Sequence, residues 1–151
     1  MAVVDSLHYA RPDEVHALEE LQRRASTAWD GYEEPPAESP DAIRISVAAV
    51  RDQRVRVAVG AGAILGFSIV LPLERTVSRL ASLFVEPAWS GRGVGAALLE
   101  DAEAIAADEG IVRLEVVSNP VGAGFFEHAG FVTVETVEAW FGPAVRMARE
   151  L

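Results

Sequence analysis

The chain has 151 residues, with 13 basic, 23 acidic and 3 His side chains, so its formal net charge is −10. This length fits one domain, and the apolar residues lie in short runs, so a core is predicted but no span of about 18 apolar residues for a membrane. All 13 basic residues are Arg and form no stripe, which disfavours nucleic-acid binding. The absence of Cys excludes disulfides and thiolate catalysis, and 3 separated His do not suggest a metal site. The first residues lack a secretory signal, so we expect a cytoplasmic protein.

The first third of the chain predicts one strand and two helices. Residues 3–9 suit a strand, and the acidic start at residues 12–14 leads into an amphipathic helix that ends near Trp29. Residues 30–41 hold three prolines and five acids, which predict a loop. Ser39 as N-cap and Pro40 as first helical residue predict a second, shorter helix. Its apolar positions are Ile43, Val47 and Val50.

The rest of the chain predicts six strands and two helices. Apolar residues alternate from residue 54 and predict a strand, and the continuous runs at 63–71 and 80–85 suit strands buried on both faces. Residues 92–108 predict a helix that ends at Gly110, with Val94, Leu98, Ala102 and Ile105 on one side. A strand at 111–117, a short helix from Asn119 to Gly130 and an antiparallel pair at 131–137 and 144–149 follow. The order β-α-α-β-β-β-α-β-α-β-β predicts a single mixed α/β domain.

Residues 83–99, LFVEPAWSGRGVGAALL, carry the clearest local signal. Gly93 and Gly95 are predicted within the first helical turn, where each costs about 1 kcal/mol relative to Ala, so we expect a ligand close to the backbone. Unpaired N–H groups at a helix start suit phosphate oxygens, and Arg92 adds a positive charge. One alternative is an ordinary turn that brings the helix close to the sheet. A second is dinucleotide binding through G-x-G-x-x-A, which the position of the motif past mid-chain disfavours.

Two motifs in this order resemble the GCN5-related N-acetyltransferase (GNAT) family. Ser90-Gly91-Arg92-Gly93-Val94-Gly95 resembles its acyl-CoA-binding pattern Gln/Arg-x-x-Gly-x-Gly/Ala, and departs from it at Ser90. The segment from Asn119 through Ala123 and Phe126 to Gly130-Phe131 resembles the later pattern N-x-x-A-x-x-x-Y-x-x-x-G-F. The resemblance implies a mixed, mostly antiparallel sheet of six to seven strands flanked by four helices. It also implies acetyl-CoA as co-substrate, with no metal.

The resemblance implies a role for each matching position. The strand that ends at residues 83–85 is expected to splay from the strand at 111–117, and pantetheine binds the backbone of Phe84 and Val85 in the gap. A backbone N–H of one of these two residues would stabilise the oxyanion. Asn119 would contact the pantetheine, with a helix cap as its alternative role. The full set of cofactor-binding positions is Phe84, Val85, Gly91, Arg92, Gly93, Val94, Gly95, Ala96, Asn119 and Phe126.

Two positions of the site, Phe126 and Glu115, bear on proton transfer. The family's Tyr proton donor is Phe126 here, so water or the acceptor's own proton would have to serve. Glu115 is the candidate base, and an Arg-paired strand acid is its alternative role. Trp29, Tyr32 and Glu33, with Asp30 and Glu34, would bind a cationic amine, or else form a solvated acidic loop.

The sequence therefore predicts an N-acetyltransferase that moves an acetyl group from acetyl-CoA to a primary amine by direct attack in a ternary complex. The acceptor is a small molecule or a peptide, and the net charge of −10 favours a cationic one. A non-catalytic acyl-CoA-binding module is the first alternative, and a nicotinamide-dependent enzyme is a distant second. No nucleic-acid or membrane partner is expected, and the final strands suit a homodimer formed by sheet-edge pairing.

Overall fold

The computed structural model describes residues 3–27 and 43–151. Within these residues, the seven strands are β1 (Ser6–Tyr9), β2 (Val55–Gly60), β3 (Ala63–Glu74), β4 (Val77–Val85), β5 (Arg113–Ser118), β6 (Val132–Ala139) and β7 (Gly142–Glu150). The four α-helices described are α1 (Val15–Thr27), α2 (Val47–Arg51), α3 (Val94–Asp108) and α4 (Ala123–His128), with short 3-10 turns at Pro12–Glu14 and Pro87–Trp89. The predicted order of elements is confirmed. None of the helices described is long and apolar enough to cross a membrane.

The strands form one mixed sheet in the order β1-β2-β3-β4-β5-β7-β6. β4 and β5 run parallel, whereas the pairs β1–β2, β2–β3, β5–β7 and β6–β7 are antiparallel. The mostly antiparallel sheet and the closing pair of strands are therefore confirmed. The chain groups into two compact units, Met1–Ile69 with Ser82–Leu99, and Val70–Ala81 with Glu100–Leu151.

Two hydrophobic clusters lie among the described residues of the first unit. Leu18 and Leu21 of α1 pack with Phe67 and neighbouring strand residues in one cluster. Ala58, Leu65, Val94 and Leu98 form the second, which we call the α3 cluster. A bulge between Ala58 and Val59 interrupts the alternation predicted for β2, so Ala58 is buried and Val59 only partly so.

Helix α2 begins later than predicted. Ser46 is its N-cap and accepts a hydrogen bond from the Ala49 N–H at 3.0 Å. Ile43 is buried ahead of the helix, and the Ile45 N–H donates to the Glu19 carboxylate of α1 at 2.8 Å. This contact satisfies the Ile45 N–H outside a helix, so the predicted start at Ser39 and Pro40 does not extend into α2. Ser39 and Pro40 themselves lie outside the described residues.

The second unit packs one face of its strands into a core. Leu114 and Val116 of β5 and Met147 of β7 are buried on this face. The parallel pairing runs from Val77↔Arg113 to Leu80↔Val116, and β5 pairs with β7 along all six of its residues. Gly110 and Gly130 follow α3 and α4 with φ of +86° and +99°, as expected for glycines that end helices.

Glu14 ties the first 3-10 turn to β1. Its carboxylate accepts a hydrogen bond from the Arg11 N–H at 2.9 Å and lies 3.0 Å from His8 Nε2. Burial raises the pKa of Glu14, but the Arg11 hydrogen bond and the contact with His8 outweigh it, so the pKa lies below the ordinary 4.5. A lowered folded pKa stabilises the fold above the unfolded pKa, and this stability is lost as the pH falls through the folded pKa.

We expect Glu14→Gln to lower the free energy of unfolding by about 1 kcal/mol near neutral pH, because the charged hydrogen bonds are weakened. The difference from the wild type should shrink below pH 4.5, where the native carboxylate also becomes protonated. Urea unfolding across this pH range measures it. Asp13→Asn, at a side chain that is 83% exposed, is the control with little change. A difference independent of pH would contradict the prediction.

Candidate active site

The end of β4 is held on both of its faces within the first unit. Leu83 and Val85 pack against the α3 cluster, whereas Phe84 packs on the other cluster with its ring 5.7 Å from that of Phe67. The Glu86 N–H donates to the Leu65 carbonyl at 2.8 Å. The backbone at Phe84 and Val85 is therefore fixed in position before any ligand binds.

Gly66 of β3 allows the backbone of β4 and the start of α3 to approach closely. A Cβ at Gly66 would lie 2.6 Å from the Phe84 carbonyl oxygen, 3.0 Å from Leu98 Cδ1 and 3.2 Å from Val94 Cγ1. Sequence reasoning missed this residue. The available signal was a single glycine inside a continuous apolar strand, which indicates a close backbone approach.

We expect Gly66→Ala to destabilise the protein by about 1–3 kcal/mol, because backbone must move to admit the methyl group. Gly124→Ala is the matched control, since a Cβ there meets no atom within 4 Å. Gly124 lies inside α4, so its replacement should stabilise the protein by up to about 1 kcal/mol. Chemical unfolding of both variants measures the contrast. A Gly66→Ala variant as stable as the wild type would show that the close contact relaxes without cost.

The glycine-rich turn precedes α3 instead of lying inside it, which corrects the predicted start at Arg92. Gly91 and Gly93 have φ of +75° and +87°, and the helix begins at Val94. These glycines are thus required by a left-handed backbone, and the helical penalty applies to Gly95 alone. A Cβ at Gly91 or Gly93 would meet no described atom within 4 Å. The space beside both residues is open.

The start of α3 offers unpaired N–H groups beside this open space. The first backbone bond into the helix runs from the Ala97 N–H to the Gly93 carbonyl at 3.0 Å. Within the described chain, the N–H groups of Val94, Gly95 and Ala96 therefore have no backbone acceptor. Together with the positive end of a 15-residue helix, they suit phosphate oxygens. The arrangement fits the pyrophosphate of an acyl-CoA.

A bidentate ion pair joins the last turn of α1 to the residue that follows β4. Arg24 Nη2 and Nε lie 2.8 and 3.0 Å from the Glu86 carboxylate. This hydrogen bond raises the pKa of Arg24 above its ordinary value. The pair anchors the end of α1 beside the fixed end of β4. Trp29, Tyr32 and Glu33, with Asp30 and Glu34, lie outside the described residues.

Asn119 caps a turn in the second unit. Its Oδ1 accepts a hydrogen bond from the Gly122 N–H at 2.7 Å, and α4 begins one residue later, at Ala123. The short helix therefore starts after Gly122 and not at Asn119, because Asn119 first closes its own turn. Asn119 is therefore a cap, as one of its two predicted roles has it, but it caps the turn that precedes α4 and not the helix itself.

Phe126 lies on the buried side of α4. Its ring meets those of Phe125 and Phe131 edge-on, at centroid distances of 5.1 and 5.4 Å. Only 7% of the residue is exposed. A phenyl ring carries no proton to donate, so Phe126 contributes packing and shape at this position.

Glu115 is surrounded by guanidinium groups. Its carboxylate lies 3.1 Å from Arg146 Nη1, 3.1 Å from Arg113 Nε and 3.8 Å from Arg79 Nη2. We call these four residues the Glu115 cluster. The Glu115 side chain is 9% exposed, and hydrogen bonds to Glu135 and Glu115 raise the pKa of Arg146. One Glu115 oxygen accepts a hydrogen bond from Arg146 and the other lies against Arg113, and this pairing favours the Arg-paired role over the base.

Comparisons with known proteins agree with this geometry. A family model described as an acetyltransferase (GNAT) domain matches residues 51–133. An aminoglycoside 6′-N-acetyltransferase solved with coenzyme A is 18% identical, with a TM-score of 0.75 and 96% of each chain covered. The PaiA N-acetyltransferase of Thermoplasma acidophilum, also with coenzyme A, is 16% identical at a TM-score of 0.72, covering 97% of this chain and 98% of that one.

A GCN5-related N-acetyltransferase from Kribbella flavida is 24% identical, with a TM-score of 0.71 and 97% of each chain covered. At these identities the structural similarity shows a shared fold. A search of curated proteins finds no match.

Proposed function

The chain belongs to the GNAT acetyltransferase family, because the domain match covers more than half of it, and on that premise we propose that it is an N-acetyltransferase. It transfers the acetyl group of acetyl-CoA to a primary amine of a small molecule or a peptide, in a ternary complex. The observation that carries the proposal is the start of α3. There, the space beside Gly91 and Gly93 is open, and three backbone N–H groups lie next to it, which suits a pyrophosphate.

Each residue has a defined task in this proposal. The N–H groups of Val94, Gly95 and Ala96 bind phosphate oxygens, with Arg92 beside them. The backbone of Phe84 and Val85 binds the pantetheine, and one N–H there stabilises the developing oxyanion. Contacts of the cofactor with Asn119 and Phe126 stay predictions from the family resemblance. The whole chain acts as one acetyltransferase domain.

The reaction forms a C–N bond and breaks the C–S bond of the thioester that acetyl-CoA supplies. The attacking amine must lose a proton, and the leaving thiolate must gain one. Glu115 is engaged by three arginines and Phe126 has no hydroxyl, so we assign both transfers to water or to the acceptor itself. The rate enhancement then comes from the backbone N–H that stabilises the oxyanion and from the binding of both reactants side by side.

The net charge of the chain favours a cationic acceptor amine. A net charge of −10 attracts cationic amines, and the predicted cage of Trp29, Tyr32 and Glu33 would suit them. A cytoplasmic location and a homodimer formed by sheet-edge pairing remain predictions from the sequence.

The buried ring of Phe126 favours a second candidate, a non-catalytic acyl-CoA-binding module. Calorimetric titration with acetyl-CoA, followed by a thiol-release assay with a polyamine, an aminoglycoside and peptides with free amino groups, separates the two. Binding with release that depends on an amine supports the enzyme. Binding with no release for any amine supports the module, and no binding overturns both.

A further inference from the structure

Trp89 and Arg92 contact each other inside the glycine-rich turn. The Arg92 guanidinium lies over the indole ring, 5.3 Å from its centroid. The indole is half-buried against the α3 cluster. Backbone hydrogen bonds hold the turn that carries this side chain, since the Trp89 N–H donates to the Glu86 carbonyl at 2.8 Å and the Ser90 N–H to the Pro87 carbonyl at 3.2 Å. A rigid aromatic surface therefore lies under a long, flexible cation.

Arg92 is the only basic residue between residues 83 and 99, where Ser90 leaves the first motif position uncharged. Acids outnumber basic residues by 23 to 13 in the chain, and most arginines with described contacts pair with a carboxylate. Among the described residues, Arg92 forms no ion pair, and its guanidinium contacts the Trp89 ring. Its charge is therefore not neutralised by a described acid.

The Trp89 ring restricts the positions that the Arg92 guanidinium can adopt. Arg92 is exposed and stands between Gly91 and Gly93, where the backbone turns sharply through positive φ. A free Arg side chain loses up to about 2 kcal/mol of rotamer entropy when a ligand immobilises it. An aromatic surface restricts the side chain beforehand through cation–π attraction, and an aromatic partner takes no charge away from it.

We propose that Trp89 is a positioning residue for phosphate binding, holding the Arg92 guanidinium beside the open start of α3. This inference rests on the proposed function, since the phosphates are those of the acyl-CoA. Trp89 touches Arg92 and not the reacting atoms. The Arg92 guanidinium is then held in place before the ligand binds, in a motif whose first residue, Ser90, carries no charge.

The test is a double-mutant cycle on coenzyme A affinity, measured by calorimetry. Trp89→Leu should weaken binding by about 2- to 5-fold, the range of an exposed cation–π contact. Arg92→Gln should weaken it by about 10-fold or more, since a charged hydrogen bond to phosphate is lost. Trp89→Leu should have no further effect in the Arg92→Gln background, and Trp89→Phe should fall between wild type and Trp89→Leu. Arg75→Gln, in the exposed β3–β4 turn, controls for the loss of one charge.

Pantetheine, which lacks phosphates, and dephospho-CoA, which lacks only the 3′-phosphate, locate the effect. Pantetheine affinity should be unchanged in every variant, and an effect kept with dephospho-CoA assigns the contact to the pyrophosphate. An effect seen only with full coenzyme A assigns it to the 3′-phosphate, and either result supports the role of Trp89. An equal loss in both Arg92 backgrounds, or an equal loss for pantetheine, overturns it and leaves the proposed function intact.

A second measurement needs no ligand. The side-chain NMR resonances of Arg92 should carry a ring-current shift that disappears in Trp89→Leu while the remaining spectrum stays folded. The absence of that shift overturns the positioning role, whatever the affinities show. If the wild type binds no coenzyme A while the shift is present, the proposed function fails together with the inference.

Discussion

Replacing Gly93 with Asp is expected to abolish acetyl-CoA binding, with a loss in affinity of more than about 100-fold. A carboxylate at the start of α3 would lie where the pyrophosphate is proposed to bind, and like charges about 4 Å apart repel by about 4 kcal/mol at a protein surface. A side chain at a φ of +87° adds about 1–2 kcal/mol of backbone strain. Calorimetric titration measures the affinity, and circular dichroism shows whether the fold is kept.

The chain offers matched controls for this substitution. Gly62 lies in the β2–β3 turn with a φ of +73° and no described atom within 4 Å of its Cβ position, so Gly62→Asp reproduces the strain and the charge elsewhere. Gly93→Ala reproduces the strain without the charge. We expect Gly62→Asp to keep the wild-type affinity, and Gly93→Ala to lose much less affinity than Gly93→Asp. Binding by Gly93→Asp at wild-type strength would exclude phosphate binding at the start of α3.

Glu115→Gln is expected to lower the free energy of unfolding by about 2 kcal/mol, with turnover per folded molecule largely retained. The substitution leaves Arg79, Arg113 and Arg146 facing one another without the carboxylate that they share. Removing one partner of a fully buried ion pair costs about 3–5 kcal/mol, and the three arginine side chains are 23–37% exposed here, so solvent reduces that cost.

Glu135→Gln is the matched control, because Glu135 also pairs with Arg146 but is 54% exposed. Its effect on stability should be within about 0.5 kcal/mol. Unfolding by urea and steady-state assays with the amine identified by the panel give both readouts. If Glu115→Gln abolished turnover and left stability unchanged, the carboxylate would be the base, and the Arg-paired role would be wrong.

The order of the elements could be predicted because its signals are local. In α3, Val94, Leu98 and Ala102 recur every four residues and are buried, and Gly110 ends the helix. Apolar runs bounded by turn residues likewise located the closing pair of strands. Each signal depends on residues within one or two turns of each other, so no knowledge of the rest of the chain was needed.

The residues that shape the site depended on contacts between distant segments. Gly93 lies before the helix and not in it, since only the folded turn shows its positive φ. The sequence pattern predicts the start of α2 at Ser39, whereas the Ile45 N–H donates to Glu19 and Ser46 is the cap. These errors share one cause. Several residues offered similar local signals, and tertiary contacts selected among them.

Helical periodicity and turn chemistry are properties of neighbouring residues, so the fold class, the order of the elements and the glycine-rich turn at the start of α3 can be predicted without the structure. The need for a glycine at Gly66 and the contacts of Glu115 with arginines from three strands become apparent only in the folded chain. Strand register determines such contacts. A shift of one residue would turn Glu115 to the opposite face, and no local pattern specifies the partners that it meets there.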